Sequence, residues 1–164
     1  MKALYDAEWV PNYWCNFLHD WPRHAAPAFA PLKAIHRVAA HGVRVAPQQP
    51  MALLRQSTDA SEAFVEIPAS VHQEYTRYRP TPLRRATNFE RLLGGKGKIF
   101  YKYEGGNVSG SHKLNSALAQ AFYYKSAGIT HLVTGTGAGQ WGSALAYACS
   151  KFELKCTVFM VGVS

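Results

Sequence analysis

Between Ile99 and Val161 the chain alternates short apolar runs with longer runs of helical period, and a glycine-rich turn follows each of the first two apolar runs. Ile99 to Tyr103 reads as a strand, and His112 to Ala127 as a helix stopped at Gly128. His131 to Thr134 is a second strand, Gly139 to Phe152 a second helix, and Lys155 to Val161 a third, nearly continuous apolar strand. The order β-α-β-α-β with apolar strands predicts an α/β fold, with one parallel sheet joined by right-handed crossovers. Ligands of such sheets bind beyond the carboxyl ends of the strands. Both glycine-rich turns fall at those ends.

The upstream half is punctuated differently. Trp9, Tyr13, Trp14, Phe17 and Trp21 are crowded among Pro11, Pro22, Pro27 and Pro31, a density of proline that cuts helices and favours extended or turning backbone. Residues 1–50 are therefore expected to form an irregular aromatic arm lying on a folded body formed by 51–164. Met51 to Arg55 suggests a helical turn and Phe64 to Ile67 a small strand. Pro68 suits a helix start, with Val71, Tyr75 and Tyr78 on one face. Arg79-Pro-Thr-Pro-Leu83 must leave helical geometry, and Thr87 to Leu93 reads as a helix ended by Gly94-Gly95.

Composition removes several function classes. Met1 to Val10 carries two acids and no apolar h-region, so no signal peptide is expected, and no run is long enough to cross a bilayer. Cys15, Cys149 and Cys156 are odd in number and lack a CxxC, which speaks against a disulfide framework or zinc site and for a reducing, cytoplasmic compartment. The seven histidines form no metal-binding pattern, so no metal is expected. The net charge of +8 raises a nucleic-acid partner, but the basic residues are scattered and no aromatic-interleaved stripe appears. Gly94-Gly-Lys-Gly-Lys98 resembles a phosphate loop, yet it enters a strand and reads as a plain turn.

Two motifs carry chemistry. In the first turn, Gly105-Gly-Asn-Val-Ser-Gly-Ser-His-Lys113, the chain enters a helix with a lysine at its mouth. Backbone N–H groups and the positive end of a helix dipole there suit an anion. A lysine beside a bound phosphate points to a Schiff-base cofactor, pyridoxal phosphate foremost; alone, it would be an ordinary surface lysine. His112 and Asn115 share this mouth. The second turn contains Gly137-Ala-Gly-Gln-Trp-Gly142, which matches GxGxxG. The acidic residue that a dinucleotide site wants about 20 positions on is missing, since that place holds Val161-Gly-Val-Ser164. Thr136 to Trp141 fits an anion nest for a carboxylate, or a glycine turn serving only close helix–strand packing.

Taken with Trp14-Cys-Asn16, Asp20-Trp-Pro22, Met51-Ala-Leu-Leu-Arg-Gln56, Glu66-Ile-Pro68, Arg79 to Leu83, Tyr101-Lys-Tyr-Glu-Gly105 and Gly110-Ser-His-Lys-Leu-Asn115, these turns make the chain resemble the tryptophan synthase β chains. These are fold-type-II pyridoxal-phosphate enzymes, and the Trp after Gln140 and the proline-aromatic arm are similar to their second type. The resemblance implies that Lys113 forms the Schiff base and later moves a proton at the substrate α-carbon. His112 would lie near the cofactor phosphate and Asn115 would help position the ring. Thr136, Gly137, Ala138, Gly139, Gln140 and Trp141 would cradle the amino-acid carboxylate. The implied reaction replaces the hydroxyl of L-serine with indole to give L-tryptophan, in a homodimer, with an α chain or a complementing C-terminal portion as further partners. The chain departs from the family by carrying Gly135 where a glutamate precedes Thr136, with Glu104 the candidate substitute. It also ends at Ser164, before the second domain, so 51–164 is expected to be an incomplete enzyme domain. Serine dehydration, or a non-catalytic remnant that binds a partner chain, are the competing expectations.

Overall fold

The structure, a computed structural model, describes residues 10–16, 19, 50–58 and 61–162. The chain divides into two compact units, one spanning 12–67 and the other 1–11 with 68–164. In the first, strand β1 (Tyr13–Cys15) pairs antiparallel with β2 (Phe64–Glu66), and helix α1 covers Met51–Thr58. Most of the expected arm over 1–50 lies outside the described residues. Within it, Tyr13–Cys15 is regular strand, because Tyr and Trp favour the pleated backbone and find a partner in Phe64–Glu66. Asn16 extends the ladder: its N–H donates to Ala63 O at 2.8 Å and its Nδ2 to Glu62 O at 2.9 Å.

The second unit contains the motifs. Its elements are α2 (Ala69–Thr76), β3 (Leu83–Arg85), α3 (Thr87–Leu93), β4 (Phe100–Lys102), α4 (Lys113–Ser126), β5 (His131–Thr136), α5 (Gln140–Lys151) and β6 (Lys155–Met160). Strands β5 and β6 pair in parallel, in register from His131↔Lys155 to Thr136↔Met160, with α5 as the crossover. Fully buried Leu114, Ala117, Leu118 and Ala121 line one side of α4, and Ala144, Leu145, Ala148 and Cys149 one side of α5. These two helices pack on each other, α2 packs on α4, and α5 packs on both strands.

The expected three-stranded parallel sheet is not formed. Strand β4 pairs antiparallel with β3, and the described strands make three separate two-stranded sheets. Phe100–Lys102 is exposed along its whole length and carries a lysine, whereas an inner parallel strand is an apolar run covered on both faces. Its main chain is instead taken up by the segment after the prolines: Ala86 N–H donates to Ile99 O at 2.9 Å and Tyr103 N–H to Pro82 O at 2.8 Å.

Gly142 sets how closely α5 rides on the sheet. A Cβ there would come within 2.7 Å of Val158 Cγ1 and 3.1 Å of Thr136 Cγ2. At Gly135 a Cβ would meet only Phe159 O, at 3.9 Å. The Gly142→Ala chain should therefore lose about 1–2 kcal/mol of stability in urea unfolding, overpacking outweighing the gain in helix propensity. Gly135→Ala should leave the midpoint unchanged or slightly raised.

Cys15, Cys149 and Cys156 are free thiols. Burial, reinforced by the adjacent Cys156, pushes the Cys149 thiol up to about 12. A thiol kept neutral is a poor nucleophile. Iodoacetamide at mildly alkaline pH should modify exposed Cys15 well before Cys149, as read by peptide mass mapping of the native chain.

Candidate active site

The first turn is organised by one side chain. Asn107 Nδ2 donates to Glu104 O at 3.1 Å and to Ser111 O at 2.8 Å, while its Oδ1 accepts from Ser109 N–H at 3.0 Å and Ser109 Oγ at 2.9 Å. Ser109 and Ser111 are buried beneath it, and Gly110 takes the left-handed conformation (φ 67°) that closes the loop. An amide two residues ahead of a serine is the side-chain mimic of a backbone turn, so Asn107 was readable as a turn former but not as the hub of the loop. The loop ends by delivering Lys113 as the first residue of α4.

The second turn begins at buried Thr136, the last residue of β5, whose Oγ1 accepts the Gly142 N–H at 3.3 Å. Gly139, with φ 94°, caps α5, and Gln140 is its first helical residue. The first amides of a helix have no intrahelical partners, and the helix dipole adds positive potential there. Gly137 and Ala138 are exposed, and no atom lies within 4 Å of where a Cβ at Gly137 would sit, so the backbone is open to approach. Trp141 is turned back onto the strand, its Nε1 donating to Thr134 Oγ1 at 2.9 Å.

The two turns meet. Lys113 Nζ donates to Gln140 Oε1 at 3.0 Å, joining residues that stand 27 apart in sequence and begin neighbouring helices. The residues singled out in the sequence thus share one place: Lys113 and Gln140 in contact, His112 exposed just before α4, and Thr136 to Trp141 around the start of α5. Asn115 is tied to a different part of the chain. Its Oδ1 accepts from Tyr78 OH at 2.8 Å and its main-chain O from Tyr75 OH at 2.8 Å. Burial, then the neighbouring Tyr75, holds the Tyr78 phenol far above its ordinary range, with Arg79 opposing and Glu104 and Tyr147 adding to the rise.

Glu104 Oε1 accepts from Thr81 Oγ1 at 2.7 Å, and Glu104 Oε2 is the one buried side-chain polar atom without a hydrogen bond among the described residues. Lys102 Nζ donates to the main-chain oxygen of the same threonine. Among the described residues no group of three or more His, Cys, Asp or Glu is arranged to hold a metal ion, and no helix is long and apolar enough to cross a membrane.

Removing the Asn107 hub should loosen the turn without unfolding α4. Asn107→Ala should lower stability by about 1–3 kcal/mol and speed amide exchange at Ser109 and Gly110; Asn107→Asp, which keeps the acceptor, should lie between it and the unaltered chain. Hydrogen exchange with urea unfolding reads both effects.

Residues 75–163 match the model of the pyridoxal-phosphate dependent enzyme family. The chain is 48% identical over 157 residues to tryptophan synthase beta chain 2 of Thermotoga maritima, a match covering 96% of this chain and 36% of that one. It is 46% identical over 159 residues to tryptophan synthase beta chain 2 of Aeropyrum pernix, covering 96% and 34%. With the tryptophan synthase beta chain of Thermococcus gammatolerans the identity is 43% over 165 residues, covering 100% and 37%. The chain spans about a third of the length of these curated relatives.

Proposed function

Because the chain belongs to the family of pyridoxal-phosphate dependent enzymes and is similar over nearly its whole length to tryptophan synthase β chains, we propose that it is the lysine-bearing portion of such a lyase. The single observation that carries this reading is the 3.0 Å contact of Lys113 Nζ with Gln140 Oε1, which puts an amine between two helix N-termini. The donor set fits the cofactor: an amine for its aldehyde, and a positive, amide-lined opening for anionic groups. When bound, pyridoxal phosphate supplies an electron sink for charge developing at the substrate α-carbon.

This chain's own residues then have separable tasks. Lys113 would hold the cofactor through Nζ, and the same amine would carry a proton to and from the substrate α-carbon. His112 borders the phosphate side. Asn115, its Oδ1 held by Tyr78, keeps its amide N–H groups for the cofactor. Thr136, Gly137, Ala138, Gly139, Gln140 and Trp141 orient a substrate carboxylate. The substrates are L-serine and indole, the product L-tryptophan, and the setting the cytoplasm, in a homodimer completed by the remainder of the enzyme. In this reading 51–164 forms part of a catalytic domain. Glycine at 135 offers no side chain for acid–base help, and Glu104 is bound to Thr81 instead, which favours serine dehydration as the second reading.

The test is chemical. Incubating the chain with pyridoxal phosphate, reducing with borohydride and mapping peptides should place the label on Lys113, and Lys113→Ala should remove it. A label elsewhere, or none, overturns the reading. Product analysis of the completed enzyme with serine and indole then separates tryptophan formation from release of pyruvate.

A further inference from the structure

We propose that Tyr78 and Tyr75 form a clamp on the first turn of the lysine helix, which makes both of them positioning residues for Lys113. The inference rests on the reading of Lys113 as the cofactor-bearing amine and adds what holds that amine in place.

Helix α4 begins without an ordinary cap. His112, at its N-cap position, sits in helical geometry and makes no side-chain capping bond. Among the described residues the Lys113 N–H finds a side-chain acceptor only in Ser111 Oγ, at a long 3.4 Å. A helix start left this way frays, and a lysine on its first residue would swing with it. The missing restraint comes instead from the chain about 40 residues upstream. Tyr75 OH donates to the main-chain oxygen of Asn115 and Tyr78 OH to its Oδ1, each at 2.8 Å.

One bond holds the backbone of Asn115 and the other its side chain, so rotating the first turn about the helix axis would break both. The tyrosines are themselves fixed. Tyr75 is 3% exposed, and the two rings pack edge to face with centroids 6.3 Å apart. Burial holds the Tyr78 phenol in its protonated, donating form well above its ordinary range.

The experiment uses the full chain, pyridoxal phosphate and borohydride, and reads by mass spectrometry the label on Lys113 relative to that on Lys96 and Lys98. Those two lysines are exposed in the turn before β4, so their labelling reports reagent and not fold, and the urea midpoint of each variant separates loss of the clamp from general loosening. Tyr78→Phe and Tyr75→Phe each delete one hydroxyl and keep the ring. Each should lower the ratio about three- to tenfold, the range for one lost buried hydrogen bond. Asn115→Ala, which also removes the proposed cofactor contact, should lower the ratio at least as far as Tyr78→Phe, and Tyr78→Phe added to it should lower it little further, since both remove the same bond. If the unaltered chain labels at Lys113 and both phenylalanine variants keep its ratio, the clamp is overturned while the lysine reading stands. If the unaltered chain does not label at Lys113, both fall.

Discussion

Ala117 and Ala121 on α4 and Ala144 and Ala148 on α5 are fully buried, and side chains this small let two packed helices approach at the short end of the usual interaxial range. The two helices pack on each other, and the 3.0 Å bond between Lys113 Nζ and Gln140 Oε1 ties their N-termini together. The polar site is in this sense built on apolar packing: buried small side chains hold the helices, and the turns supply the groups at their ends.

Around that seam the structure divides its labour between backbone and side chain. Asn107 shapes one turn through four hydrogen bonds, whereas the other is shaped by Gly139, Gly142 and the hydroxyl of Thr136. The two solutions differ because the second turn must also let α5 lie directly on the β5–β6 pair. The first turn only has to deliver a lysine to a helix start. One amide side chain can organise the first loop, whereas at the helix–strand contact the absence of a Cβ at Gly142 matters as much as the Thr136 hydroxyl.

Much of this was legible in the residues themselves. The period of the apolar positions gave α4, α5, β5 and β6 to within two residues, because each has an apolar pattern with a glycine at one or both of its ends. The partner of β4 was not legible. Leu83–Arg85 has no alternation and no buried residue, so main-chain bonds alone make it a strand, and main-chain bonds leave no mark on composition. The sharing of one place by Lys113 and Gln140 was foreseen only from the rule that loops gather at strand ends. The link of Asn115 to Tyr75 and Tyr78 was hidden for another reason: helical spacing placed those tyrosines on one face but could not say where their hydroxyls end.

The second turn also has an uneven tolerance for change. Along one short stretch, Gly142 is pressed against Val158 and Thr136, and Gly139 occupies a backbone region that L side chains rarely adopt. Gly135 and Gly137, by contrast, have room around them. Four glycines that look interchangeable in the sequence are thus two fixed points and two vacancies. Laboratory evolution of this stretch would find its new side chains at 135 and 137, where there is space for them, while 139 and 142 stayed glycine.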